Sequence, residues 1–167
     1  MFHKSLVVEK LKKKHDLFLS RLEELYDDLN NLCYEGKVSF GKNFEQVKRK
    51  VAFFKGQLFS HIQFDDEVVF SYLVKHVPRL EGMVSFLKVE HVEVKRELEE
   101  FEDVLRRADE EKSNSELITM LRNKGLYFVC LLRSHMQSEY EGIYRVIESE
   151  LRPKEIEELQ NLFPAEE

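Results

Sequence analysis

Two stretches of this sequence repeat one chemical pattern: SHIQFDDEVVF (Ser60 to Phe70) and SHMQSEYEGIY (Ser134 to Tyr144). Each reads Ser-His, a residue, Gln, a residue, then an acid. His61 is therefore followed four positions on by Asp65, and His135 by Glu139. On a helix, residues four apart share a face one turn apart. An imidazole and a carboxylate so placed can form an ion pair or offer two donors to one metal ion. Two further histidines open a second repeated pattern, HDLFLSRLEELYDDL from His15 and HVEVKRELEEFEDVL from His91.

The elements that must position these groups are helices. Apolar residues recur every three or four positions along four segments. The first stripe runs Leu11, His15, Phe18, Leu22, Leu25, Leu29, Leu32; the second Val47, Val51, Phe54, Leu58, His61, Asp65, Val68, Tyr72. The third runs Leu80, Val84, Leu87, His91, Val94, Leu98, Phe101, Leu105. The fourth is looser: Leu121, Gly125, Phe128, Leu132, His135, Glu139, Gly142, Val146. Breaks are predicted at EGKVSFGKN (Glu35 to Asn43), at His76 to Pro78, where a residue before Pro avoids helical geometry, and at EEKSNSE (Glu110 to Glu116). Ser113 with Glu116 spells a capping box for the fourth helix, and Pro153 opens a short fifth. The expected fold is all-α: an up-down-up-down four-helix bundle with a short extra C-terminal helix. Its helices are predicted over 4–34, 44–76, 79–109, 114–150 and 153–163, within one domain spanning 1–167.

Every stripe is apolar except at His15, His61, Asp65, His91, His135 and Glu139, six ionisable residues that the same periodicity points inward. Burying such groups is costly unless they are paired or bind a metal. Antiparallel neighbours bring two residues level when the turn lies midway between them. The midpoints of His15–His61, His61–His91 and His91–His135 are residues 38, 76 and 113, all at predicted turns. One histidine from each helix thus lands on one layer. The offsets of 76 residues (His15 to His91) and 74 (His61 to His135) describe a helical hairpin written twice. Four imidazoles and two carboxylates converging make a site for two metal ions. The competing reading is a buried polar layer that fixes bundle register, within a metal-free interaction bundle.

Other residues read more plainly. Asp66 is rotated off the seam and reads as surface, Tyr72 as core, and His3 and His76 as solvated. Lys10, Lys12, Lys13 and Lys14 read as a solvated helix face, and Cys33 and Cys130 as structural thiols. With 35% charged residues, six Gly and three Pro, the 167-residue composition suits long helices, and a net charge of −6 argues against nucleic acid as partner. The longest apolar run, GLYFVCLL (Gly125 to Leu132), is too short to span a bilayer, and the N-terminus lacks a signal-peptide core. A cytoplasmic protein without membrane partners is expected.

Imidazole plus carboxylate suits iron, manganese or zinc. Ferritin-like bundles use Glu-x-x-His, and no Glu stands three residues ahead of any of the four histidines. The reversed order, His first and acid four later, with single histidines on the first and third helices, resembles the hemerythrin-like (HHE cation-binding) family from about Leu11 to Glu150. The resemblance implies two iron ions in an oxo- or hydroxo-bridged di-iron centre, with zinc or manganese as alternatives. It implies that His15 and His61 hold one iron, His91 and His135 the other, and that Asp65 and Glu139 bridge them. Two departures stand out. Asp65 is one methylene shorter than the usual glutamate, and Lys95 stands where oxygen carriers place a fifth histidine. With two histidines per iron, the resemblance implies a reactive or labile centre more than reversible oxygen carriage. The expected ligand is dioxygen, nitric oxide or peroxide. An iron-handling or stress-response role, donating iron to damaged clusters or sensing iron and oxygen through a protein partner, is the alternative. No nucleophile, base and oxyanion constellation marks an enzyme with a defined organic substrate.

Overall fold

Apolar side chains at intervals of three and four give each long helix one buried stripe, and packing those stripes together builds the bundle. The computed structural model describes residues 6–34 and 37–165. Helix α1 spans Leu6–Tyr34. Helix α2 starts at Lys37, runs as α-helix to Phe64, passes a π-helical turn at Asp65–Val69 and resumes over Phe70–His76. A single 3-10 turn, Pro78–Leu80, leads into α3, Glu81–Glu110. Helix α4 runs Ser115–Glu139, passes a second π turn at Tyr140–Tyr144 and ends over Arg145–Glu150; α5 is Pro153–Asn161. Helix α1 packs on α2 and α4, and α3 on α2 and α4, which closes the four-helix bundle, with α5 laid against α1.

Helix α2 begins seven residues before the expected start at 44, so most of the expected first loop is helical. The cause is packing: Phe44 is buried, the Phe40 and Phe44 rings lie 5.7 Å apart, and a Cβ at Gly41 would meet nothing within 4 Å. One exposed glycine costs only ~1 kcal/mol in a helix. Glu35 and Gly36, His3 and the Cys33 side chain lie outside the described residues. At α4 the cap is Asn114 rather than Ser113: its side-chain oxygen accepts from Glu116 N at 3.1 Å and Leu117 N at 3.3 Å. Pro153 does open α5, where Arg152 N donates to Glu155 Oε2 at 2.8 Å.

The π turns shift the seam. A π turn holds one more residue than an α turn, so the apolar stripe advances by one position beyond it. Past Asp65 the buried residues are Val69, Phe70 and Leu73, not the expected Val68 and Tyr72. Past Glu139 they are Ile143, Tyr144 and Ile147, not Gly142 and Val146. Tyr72 instead donates its hydroxyl hydrogen toward Glu155 O (2.9 Å) and Glu158 Oε2 (3.0 Å), tying α2 to α5.

Two apolar clusters fill the bundle. One holds Phe18, Leu22, Leu25, Leu29, Phe54, Phe101 and Phe128. The other holds Leu11, Phe70, Leu73, Val84, Leu87, Ile143, Ile147 and, from α5, Leu159. Along each of the four long helices the inward histidine falls between residues of the first cluster and residues of the second. The polar layer is sandwiched between the two apolar plugs.

Candidate metal centre

Each long helix delivers one imidazole to this layer. His15, His61, His91 and His135 are all buried, as are Asp65 and Glu139, each of the two acids only 1% exposed. All six residues singled out by spacing therefore meet. His15 Nε2 lies 3.1 Å from His61 Nε2 and 3.0 Å from Glu139 Oε2. His61 Nε2 stands 3.1 Å from Asp65 Oδ2. Glu139 Oε1 is 4.0 Å from His91 Nε2, and Glu139 Oε2 is 3.8 Å from His135 Nε2. The donor atoms form two groups, His15–His61–Asp65–Glu139 and His91–His135–Glu139, each with all its atoms within 4.8 Å of one another. Among the described residues only Glu139 belongs to both.

The donor set fits a cation. Glu139 Oε1 and His91 Nε2 are buried without a hydrogen-bond partner among the described residues, and Asp65 Oδ2 and Glu139 Oε2 face imidazole nitrogens at 3.1 and 3.0 Å without the geometry of a hydrogen bond. Buried polar atoms are nearly always satisfied, and four such atoms facing one space are best accounted for by an ion between them. Three of the imidazoles are held toward the neutral form that ligates. Burial, aided by His61, pushes His15 down to about 3, and burial, aided by His91, does the same to His135. His91 is lowered too, by burial, against the opposing pull of Asp66. The two carboxyls split. Burial opposes ionisation of Asp65, but the neighbouring His61 outweighs it and holds that carboxyl below the ordinary range. Glu139 is pushed well above its ordinary value by burial and then by the charge of Asp65.

Three residues that spacing passed over complete the arrangement. Asp66 is half-buried, not free on the surface: its Oδ1 accepts from His91 Nδ1 at 2.7 Å. Glu90 Oε1 stands 3.2 Å from His135 Nδ1. Each carboxylate fixes the tautomer that leaves Nε2 free to bind metal. A sequence signal existed: each acid adjoins an inward residue, Asp66 beside Asp65 and Glu90 beside His91. The third is Tyr144, whose hydroxyl lies 2.9 Å from His15 Nε2. Burial and the nearby Glu139 push its phenol well above its ordinary value. His76, by contrast, stands away from the layer, its ring 4.1 Å from that of Tyr72 and its Nδ1 3.7 Å from Glu155.

A pocket of about 620 Å³ between α1 and α4 reaches the layer at His15 and Tyr144, walled by Lys12, Leu19, Cys130 and Arg133 among others. Cys130 is exposed there. The basic run is partly engaged: Lys12 Nζ stands 5.0 Å from the Tyr140 ring centre and 3.6 Å from Glu148, and Lys14 donates to Gln57 at 2.9 Å. Among the described residues no helix is long and apolar enough to cross a membrane.

With this geometry in hand, the model of the hemerythrin HHE cation-binding domain matches residues 6–147. The chain belongs to that family. Its HHE domain match includes all six donors and both π turns and stops before α5, so the C-terminal helix is an addition to the matched bundle. Binding of a metal cation is the family's described property, and the buried His and carboxylate groups offer the donors for it. No curated protein matches the chain.

Proposed function

We propose that the protein is a single-domain, non-haem di-iron protein of the cytoplasm whose buried cluster binds or reacts with dioxygen or a related small molecule, nitric oxide or peroxide. One observation carries the reading: four imidazoles and two carboxylates are buried together, with Glu139 common to two donor groups. Imidazole with carboxylate suits iron, which supplies redox-active positions open to a small ligand. His15, His61 and Asp65 would hold one ion, His91 and His135 the other, and Glu139 would be shared, with Asp65 as second bridge.

The chain's own residues supply the rest. His15, His91 and His135, disfavoured as cations by burial, present lone pairs to a metal. Asp66 and Glu90 hold the His91 and His135 rings in place. The apolar clusters on either side keep bulk water out, and the pocket at Tyr144 is the way in for a small molecule. The test is metal content with an optical spectrum before and after exposure to dioxygen, nitric oxide and peroxide. About two irons per chain with ligand-dependent absorption is expected. A spectrum inert to all three would overturn the reading.

A second reading, iron handling under stress, draws on the smaller group: His91, His135 and Glu139 are three donors where iron takes more. Chelator competition separates the two. Ready loss of one iron favours handling; retention of both favours small-ligand chemistry.

A further inference from the structure

The 74-residue offset that relates His61 to His135 and Asp65 to Glu139 also relates Phe70 to Tyr144. Both aromatics are buried, at 0% and 1% exposure, and both lean on the first histidine of a hairpin. Phe70 stacks on His91, with centroids 5.5 Å apart and planes at 5°. Tyr144 lies against His15 at 5.1 Å and 41°, with its oxygen 2.9 Å from Nε2 and 3.3 Å from Nδ1. The two halves of the layer thus differ by one oxygen atom. Packing does not require that oxygen, since the matching niche is filled by phenylalanine, and a buried hydroxyl is costly unless satisfied.

Resting on the di-iron reading above, we propose that Tyr144 is a further ligand at the His15–His61 metal position, binding as phenolate. The argument is one of acceptors. Among the described residues the hydroxyl has His15 alone as hydrogen-bond partner. Once His15 Nε2 gives its lone pair to a cation, Nδ1 carries the ring hydrogen and can only donate. The phenol hydrogen then has no acceptor on the imidazole. The oxygen borders the donor cluster: His15 Nε2, 2.9 Å away, is itself 3.1 Å from His61 Nε2 and 3.0 Å from Glu139 Oε2. The O–H bond breaks, an oxygen lone pair forms the bond to the metal, and the proton leaves through the pocket that Tyr144 lines. No electron is transferred. Tyr144 then joins His15, His61, Asp65 and Glu139, and the corresponding place beside His91 and His135 holds only the phenyl ring of Phe70.

The test loads the metal-free full-length protein with iron(III) and records iron per chain, visible absorption and resonance Raman spectra. The wild type is expected to show phenolate-to-iron charge transfer in the visible, with enhanced tyrosinate ring vibrations. Tyr144→Phe is expected to fold by circular dichroism, to keep its iron and to lose both signals. Tyr140→Phe, on the same pocket wall, is expected to keep them. Iron bound by the wild type without tyrosinate vibrations, or vibrations that survive Tyr144→Phe, overturns the inference while the metal reading stands. No iron bound at all overturns both.

Discussion

At the scale of single residues, the imidazoles are set for metal by what touches their far nitrogens. Asp66 at 2.7 Å from His91 Nδ1 and Glu90 at 3.2 Å from His135 Nδ1 orient two of the rings. Asp66→Asn and Glu90→Gln are each expected to weaken metal binding roughly 10–100-fold, read by competition with a chelator. Protonation should compete as well. His15 and His135 refuse protons until about 3 in the folded protein, whereas unfolded they accept them near 6.5. The unfolded chain therefore binds more protons between those values, and stability rises with pH across that window. Glu139 and Glu90, both raised above their ordinary 4.5, act in the opposite sense, set against the three lowered histidines. Acidifying the metal-free protein below about 6.5 should lower its unfolding free energy, and with it the unfolding midpoint, each such histidine contributing roughly 1 kcal/mol per pH unit. A midpoint flat from neutrality to pH 4.5 would contradict the burial of neutral imidazoles.

At the scale of elements, helix periodicity made four seams and all six inward polar residues legible before any coordinates. It failed at the two π turns, where one extra residue per turn moves the seam. That failure hid Phe70 and Tyr144 and put Tyr72 in the core instead of at α5. No composition rule announces a π turn; it is held by tertiary packing around the carboxylate that precedes or opens it. Asp66 and Glu90 were missed for a related reason. Each faces a neighbouring helix from the flank of its own seam, a direction a single-helix pattern does not score. The first turn is shorter than the sequence suggests because Phe40 and Phe44 pack strongly enough to carry the helix through Gly41. Close packing between helices gives a sharp test at Gly125, where an added Cβ would fall 2.5 Å from Leu29 Cδ1 and 2.9 Å from Phe101 Cζ. Gly125→Ala is expected to cost ~1–3 kcal/mol in urea unfolding with the slope unchanged. A neutral result would mean that the α1–α4 contact yields readily.

At the scale of the whole molecule, the polar layer divides two apolar plugs, so metal couples them. Metal at about a hundred times its Kd should stabilise the fold by ~2.7 kcal/mol, and a chelator should lower the melting temperature accordingly. His61→Ala with His135→Ala should abolish that difference while leaving far-ultraviolet circular dichroism helical. Metal-dependent stability surviving in the double variant would move the ions elsewhere. Helix α5 caps the second plug with Leu159, which is fully buried. Leu159→Ala should cost ~2–5 kcal/mol in thermal or denaturant melts. The repeated hairpin has a consequence of its own. Two identical hairpins paired about a true dyad could also assemble four imidazoles and two carboxylates, but every departure in one would be copied in the other. Joined in one polypeptide, the halves are free to diverge. Tyrosine can stand against the first histidine of one copy and phenylalanine against that of the other, and aspartate can serve in one copy and glutamate in the second. Covalent linkage turns a symmetric vessel into a polarised one, with a distinguishable entrance and back wall.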